Sequence, residues 1–129
     1  MPSTEYGEFR LQRQKGGVGY FGQVRVRVVP GPADVVWTAP PEDRTSLQPR
    51  EDAEFVEAAL DGARDGVELV RSLGVDVGER VEVVHAQLDL KDIEESAVSA
   101  AAALAVGEAF GVADRLVLDF RDGWFVRTA

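Results

Sequence analysis

Gly17, Gly19 and Gly22 satisfy the spacing G-x-G-x-x-G, which cradles a pyrophosphate when a helix follows directly and presents its N-terminus to the phosphates. Here the glycines lead instead into Val24, Val26 and Val28 alternating with Arg25 and Arg27, a period of two that makes a half-buried strand. Adding Val24 extends the match to the G-x-G-x-x-G-x-V of a kinase phosphate loop, which does sit in a hairpin. The chain has no V-A-I-K, H-R-D or D-F-G and, at 129 residues, is too short for that fold. The glycines therefore read as a hairpin tip that needs positive backbone angles.

Other groups capable of chemistry are sparse. His85 is the single histidine and there is no cysteine, which argues against a zinc site and a disulfide framework. Asp89 and Asp92 lie near His85 in sequence, yet a mid-strand histidine reads as a core or edge residue. Glu94 and Glu95 are carboxylates at a helix start, where the macrodipole favours them. No nucleophile, base and orienter can be assembled, and no G-x-x-x-x-G-K-[ST] occurs, so neither catalysis, GTP hydrolysis nor a bound cofactor or metal is expected. Tyr20 and Phe21 are different. Two aromatics in a glycine loop have little core within reach, so they are expected either to stack on bases or to fold back over the hairpin.

The elements that would carry these groups can be read from periodicity. Residues 1–7 are a polar lead-in, expected to fray. Residues 8–14 and 22–29 form a long hairpin that Pro30 and Pro32 end, and residues 35–38 form a short third strand. Residues 39–50, with three prolines, are an irregular connection. From 52 to 73, Val56, Ala59, Leu60, Ala63, Val67 and Val70 recur at helical intervals. Gly62 and Gly66 weaken that helix by about 1 kcal/mol each, so something must approach closely there. Residues 79–90 alternate as a strand, with Val84 and Leu88 out of phase as if both faces were largely covered. Asp92 and Glu95 have the spacing of a capping box. The next helix, to about residue 110, is apolar on nearly every side and is expected to be buried against the sheet. Residues 116–120 and 124–128 make a closing hairpin. A single α+β domain results, a two-layer sandwich with a mixed sheet of about four to six strands and two helices on one face.

The run of residues 12–29 resembles the first tip loop of domain IV of translation elongation factor G, with Gly16, Gly17, Gly19, Phe21, Gly22 and Val24 in a Gly-Gly-x-Gly-x-aromatic-Gly-x-Val pattern after a basic, polar strand. The likeness extends over most of residues 11–111. Phe55, Val56, Ala58, Gly62, Arg64 and Val67 fall on that family's first-helix pattern, and the Ala-rich stretch from Ser96 to Glu108 and Ala109 on its second. The resemblance implies a fold like the second domain of ribosomal protein S5, including a left-handed β-α-β crossover that the general handedness rule opposes. It also implies placement of two loops in the decoding site of the small ribosomal subunit. On this chain those loops are residues 15–23 and about 89–96. Both depart from the pattern: Val18 stands where the family often has a basic residue, Tyr20 and Gln23 replace usual polar positions, and the second loop is short and rich in carboxylates.

The net charge is −9, which opposes a general affinity for polyanions. The charge is unevenly placed, because no carboxylate occurs from residue 9 to 30 while Arg10, Arg13, Lys15, Arg25 and Arg27 all do. The expected contact set is Arg13, Lys15, Gly16, Gly17, Gly19, Tyr20, Phe21, Gly22, Gln23 and Lys91. The expected partner is the small ribosomal subunit or its rRNA. The alternative is a protein-interaction or self-associating domain, a homo-oligomer that keeps the fold without the translation role. No apolar run is long enough to span a bilayer and no hydrophobic signal segment begins the chain, so no membrane partner and a cytoplasmic location are expected. Met1 and the closing hairpin favour a free-standing relative over an excised domain.

Overall fold

The computed structural model describes residues 5–129. In chain order the elements are β1 (Glu5–Lys15), β2 (Val18–Val29), β3 (Asp34–Trp37), α1 (Ala53–Ser72), β4 (Arg80–Ala86), α2 (Glu95–Ala109), a 3₁₀ turn (Ala113–Arg115), β5 (Leu116–Phe120) and β6 (Trp124–Thr128). The first four strands form one mixed sheet in the order β1-β2-β4-β3, and β5 and β6 form a separate two-stranded sheet. β1, β2 and β4 pair antiparallel, whereas β3 runs parallel to β4. The β3-α1-β4 crossover joins those two neighbours. The α+β two-layer sandwich expected from the sequence is the architecture found.

One face of the sheet is apolar and carries the helices. Val24, Val26 and Val28 of β2 and Val81 and Val83 of β4 are buried on it, while Arg25 and Arg27 pair with His85 and Glu82 on the opposite, open face. The out-of-phase Val84 marks a bulge: Arg25 pairs with His85 and Val26 with Val83, so Val84 has no partner on β2. No residue of β4 is exposed, as its out-of-phase pattern implied: Glu82 is buried beneath Arg27, and His85 is held against Asp43 on the face away from the helices.

α2 is the centre of the molecule. Ala97, Val98, Ala100, Ala101, Ala102, Ala105 and Val106 are all buried, since β1, β2, α1 and β6 surround the helix. Small residues permit this approach from both sides. A Cβ on Gly22 of β2 would lie 2.5 Å from the carbonyl oxygen of Ala97, and one on Gly62 of α1 would overlap the carbonyl oxygen of Ser99. The close approach inferred from Gly62 and Gly66 is thus the α1–α2 contact.

Boundaries differ from expectation at four elements: β2 begins at Val18 rather than residue 22, β4 ends at Ala86 rather than residue 90, and β1 and α2 start elsewhere than expected. Residues 5–7 do not fray; they extend β1, paired with residues 26–28, and Gly7 is buried with its Cα against the backbone of Ala105 and Ala109. Residues 1–4 lie outside the described residues. The cap of α2 is Glu94 rather than Asp92, its carboxylate accepting from the Ser96 and Ala97 amides at 2.9 and 3.2 Å. Residues 92–94 are held extended against β2, which moves the helix start past the expected capping box.

Candidate nucleic-acid interface at the hairpin tip

The tip is narrower than the glycine count implies. Lys15 pairs with Val18, so the turn consists of Gly16 and Gly17 alone, with φ of 58° and 81°. Positive φ at both central residues is the type I′ geometry that matches the twist of a hairpin. Neither glycine has an atom within 4 Å of where a Cβ would stand. Beyond them the chain is already strand, and Gly19 and Gly22 make room for neighbours: the Asp92 carboxylate lies against Gly19 and the backbone of α2 against Gly22.

The second loop is bound to the first hairpin. The Phe21 amide donates to the Asp92 carbonyl at 2.8 Å, the Glu94 amide to the Phe21 carbonyl at 3.3 Å, and the Gln87 amide to the Gln23 carbonyl at 2.9 Å. Residues 87–94 thus occupy the edge of β2 beyond the reach of β4. Asp89 shapes the loop's turn by accepting from the amides of Lys91 at 2.8 Å and Asp92 at 3.0 Å. These amides, first that of Asp92 and then that of Lys91, hold its carboxyl below the usual carboxylate range, and the charges of Lys91 and Arg10 act in the same sense. The loop projects Leu90, 92% exposed, beside the exposed Lys91. Val18 on the hairpin is 52% exposed.

The aromatic residues correct an expectation. Phe21 is 4% exposed, covered on the open face by the Arg10 guanidinium 5.6 Å above its ring. Tyr20 points to the helix face, where its ring meets Phe120 at 5.7 Å and Trp124 at 5.8 Å in edge-to-face contacts. The C-terminal hairpin supplies the core that sequence reasoning did not place within reach. Neither ring stands free as a base-stacking platform. Lys15 also touches this cluster, its ammonium 5.5 Å from the Phe120 ring centre.

Among the predicted contact residues, Arg13 and Lys15 at the end of β1, Gly16 and Gly17 in the turn and Lys91 in the loop bound to β2 are exposed; Gly19 and Gln23 are part of β2, and Gly22 and Phe21 are buried. Sequence reasoning missed Leu90 and Val18. Leu90 falls at the end of the stretch 79–90 that reads as a strand, and because β4 ends at Ala86 nothing in that reading marks Leu90 as an exposed apex.

The open face of the sheet holds a different set of polar groups. Glu8 accepts from Arg25 at 3.2 Å, and Glu82 from Arg27 Nε at 2.9 Å. His85 lies between the Asp43 carboxylate, 3.2 Å from Nδ1, and the Gln87 side-chain oxygen, 3.1 Å from Nε2. The hydroxyl and amide of Thr45 hold the Asp43 carboxyl low, with His85 a smaller cause. Two of the hairpin's five cations are thus already matched by carboxylates, which leaves Arg10, Arg13 and Lys15 toward the tip end. Among the described residues no helix is long and apolar enough to cross a membrane.

No protein-family model matches the sequence, and no curated protein matches it either. The fold is similar to a crystal structure from Thermus thermophilus, with a TM-score of 0.66 and 18% identity, covering 97% of this chain. This chain spans only 23% of that structure's length. At that identity the likeness concerns the fold.

Proposed function

We propose that this chain is a non-enzymatic RNA-contacting module built like domain IV of elongation factor G, offering its hairpin tip and the adjoining loop to the small ribosomal subunit or another structured RNA. One observation carries the reading: the two loops that the resemblance pairs in function are joined by backbone hydrogen bonds at one end of the fold, and they carry Lys15 and Lys91, with Arg13 next to them in β1, on a chain of net charge −9. Cations contact phosphates and position the protein, while shape and base contacts select the site. The exposed Gly16 and Gly17 allow backbone to approach closely, and Leu90 and Val18 provide apolar surface for an unstacked base or a neighbouring protein. Tyr20 and Phe21 act from behind as supports.

Co-sedimentation with purified small subunits across a salt series tests this. Binding at low salt is expected to weaken steeply as salt rises, because neutralised phosphates release counterions, and to be lost in Lys15→Glu with Lys91→Glu while the melting temperature is kept. Folded protein that binds neither small subunits nor structured RNA at low salt would end the translation-related reading.

A further inference from the structure

β1 is the outer strand of its sheet, and among the described residues its outer edge from Tyr6 to Gln14 pairs with no other backbone, the Gln12 carbonyl accepting only from the Arg13 guanidinium at 3.2 Å. With Lys15 and Val18 as the pair flanking a two-residue turn, the backbone groups of Lys15, Arg13, Leu11, Phe9 and Gly7 face β2, and those of Gln14, Gln12, Arg10, Glu8 and Tyr6 face outward. A long, unpaired edge is a template for another strand. Tyr6, 57% exposed, and Phe9, half-buried at the rim of the core, stand on either side of it.

The charge order along this edge selects its partner. In an antiparallel pair of identical strands, outward-facing residues must oppose outward-facing residues, so only registers with an even index sum are allowed. Centring the two-fold on Glu8 puts Glu8 against Glu8, and centring it on Arg10 puts Arg10 against Arg10; like charges directly opposite are destabilising. Centring it on Phe9 puts Glu8 against Arg10, twice by symmetry. It also sets Tyr6 over Gln12 and Phe9 against Phe9 in a close, non-hydrogen-bonded pair. We infer that β1 is a homodimer interface, through which two copies of this chain join their sheets edge to edge in the register centred on Phe9. The interface is isologous and closed. It leaves residues 15–18 and the loop at Leu90 at opposite ends of the joined sheet, the two Lys15 Cα atoms roughly 40 Å apart at the strand rise per residue. It does not depend on RNA contact.

Sedimentation equilibrium of the full chain from micromolar to millimolar concentration should show a monomer–dimer equilibrium. Glu8→Arg alone and Arg10→Glu alone should each weaken the dimer on the order of tenfold or more, because like charges then face each other at both symmetry-related sites. The double variant Glu8→Arg with Arg10→Glu should regain most of the lost affinity. Glu8 also binds Arg25, so circular dichroism must show each variant folded, and a second arm does not use charge. The chain has no cysteine, and Phe9→Cys should form a disulfide-linked dimer under mild oxidant, since the pair at the two-fold has the Cα spacing a disulfide needs. Gln12→Cys, which faces Tyr6, should not. A chain that stays monomeric at every concentration, or a dimer that links through Gln12→Cys and ignores the charge reversals, overturns the proposal.

Discussion

The glycines around α2 and the glycines at the hairpin tip have opposite surroundings. Gly7, Gly22 and Gly62 are glycine because another backbone occupies the space of a side chain, whereas nothing lies within 4 Å of a Cβ at Gly16 or Gly17, which are glycine because the chain turns there. The first kind fixes how close the layers sit and hence the fold. The second kind is free of the interior and can vary in what it touches. Residues 16–22 contain both kinds within one motif, which is why the spacing G-x-G-x-x-G carries no single meaning in this chain.

Substitutions at α2 separate the two regions most sharply. Gly62→Val, and independently Ala102→Glu or Ala105→Glu, should leave no folded domain by circular dichroism, because overlap or an unpaired buried charge costs several kcal/mol against a total of roughly 5 to 15. Wild-type melting temperatures in these variants would mean that α2 is not enclosed. Tyr20→Ala comes next. Its ring meets both Phe120 and Trp124, so about 2 kcal/mol of stability should be lost, measured by urea denaturation; no loss would put Tyr20 at a free tip after all.

At the tip itself, Gly16→Ala and Gly17→Ala should each cost only about 1 kcal/mol, the penalty of a left-handed backbone for a residue with a Cβ, and the spectrum of the fold should be unchanged. Collapse of either variant would erase the distinction between the two classes of glycine. The smallest effect concerns pH. Asp89 titrates below its usual range in the fold, so its turn is intact above the ordinary carboxylate pKa and loosens as pH falls through the lower folded value. The amide resonances of Lys91 and Asp92 should move in that window, and Asp89→Asn should abolish the movement; amides that stay flat in acid would remove Asp89 from the turn.

The sequence made the strands of both hairpins, the amphipathic α1 and the buried α2 legible, because each rests on a period that the local chain states by itself. What it hid depends on partners distant in sequence. The environment of Tyr20 is supplied by Phe120 and Trp124, about a hundred residues on, and the order of residues 5–7 comes from α2 closing over Gly7. The cap moved to Glu94 because residues 92–94 found a strand edge. At the candidate site the cations Arg13, Lys15 and Lys91 and the turn glycines were readable. Leu90 was not, since exposure at a loop apex leaves no periodic trace.

The enclosure of α2 also has a consequence for the order of events during synthesis. The hairpin of β1 and β2, with Leu11, Val24 and Val26 on its apolar face, leaves the ribosome well before residues 95–109 are made. Until then that face has only α1 to share among four strands, and an uncovered apolar sheet with an open edge is the kind of intermediate that associates with others of its kind. The polar residues Glu8, Arg10, Gln12 and Gln14 of β1 lie on the face away from the core, so one side of the half-built hairpin stays hydrated while the apolar side waits for α2.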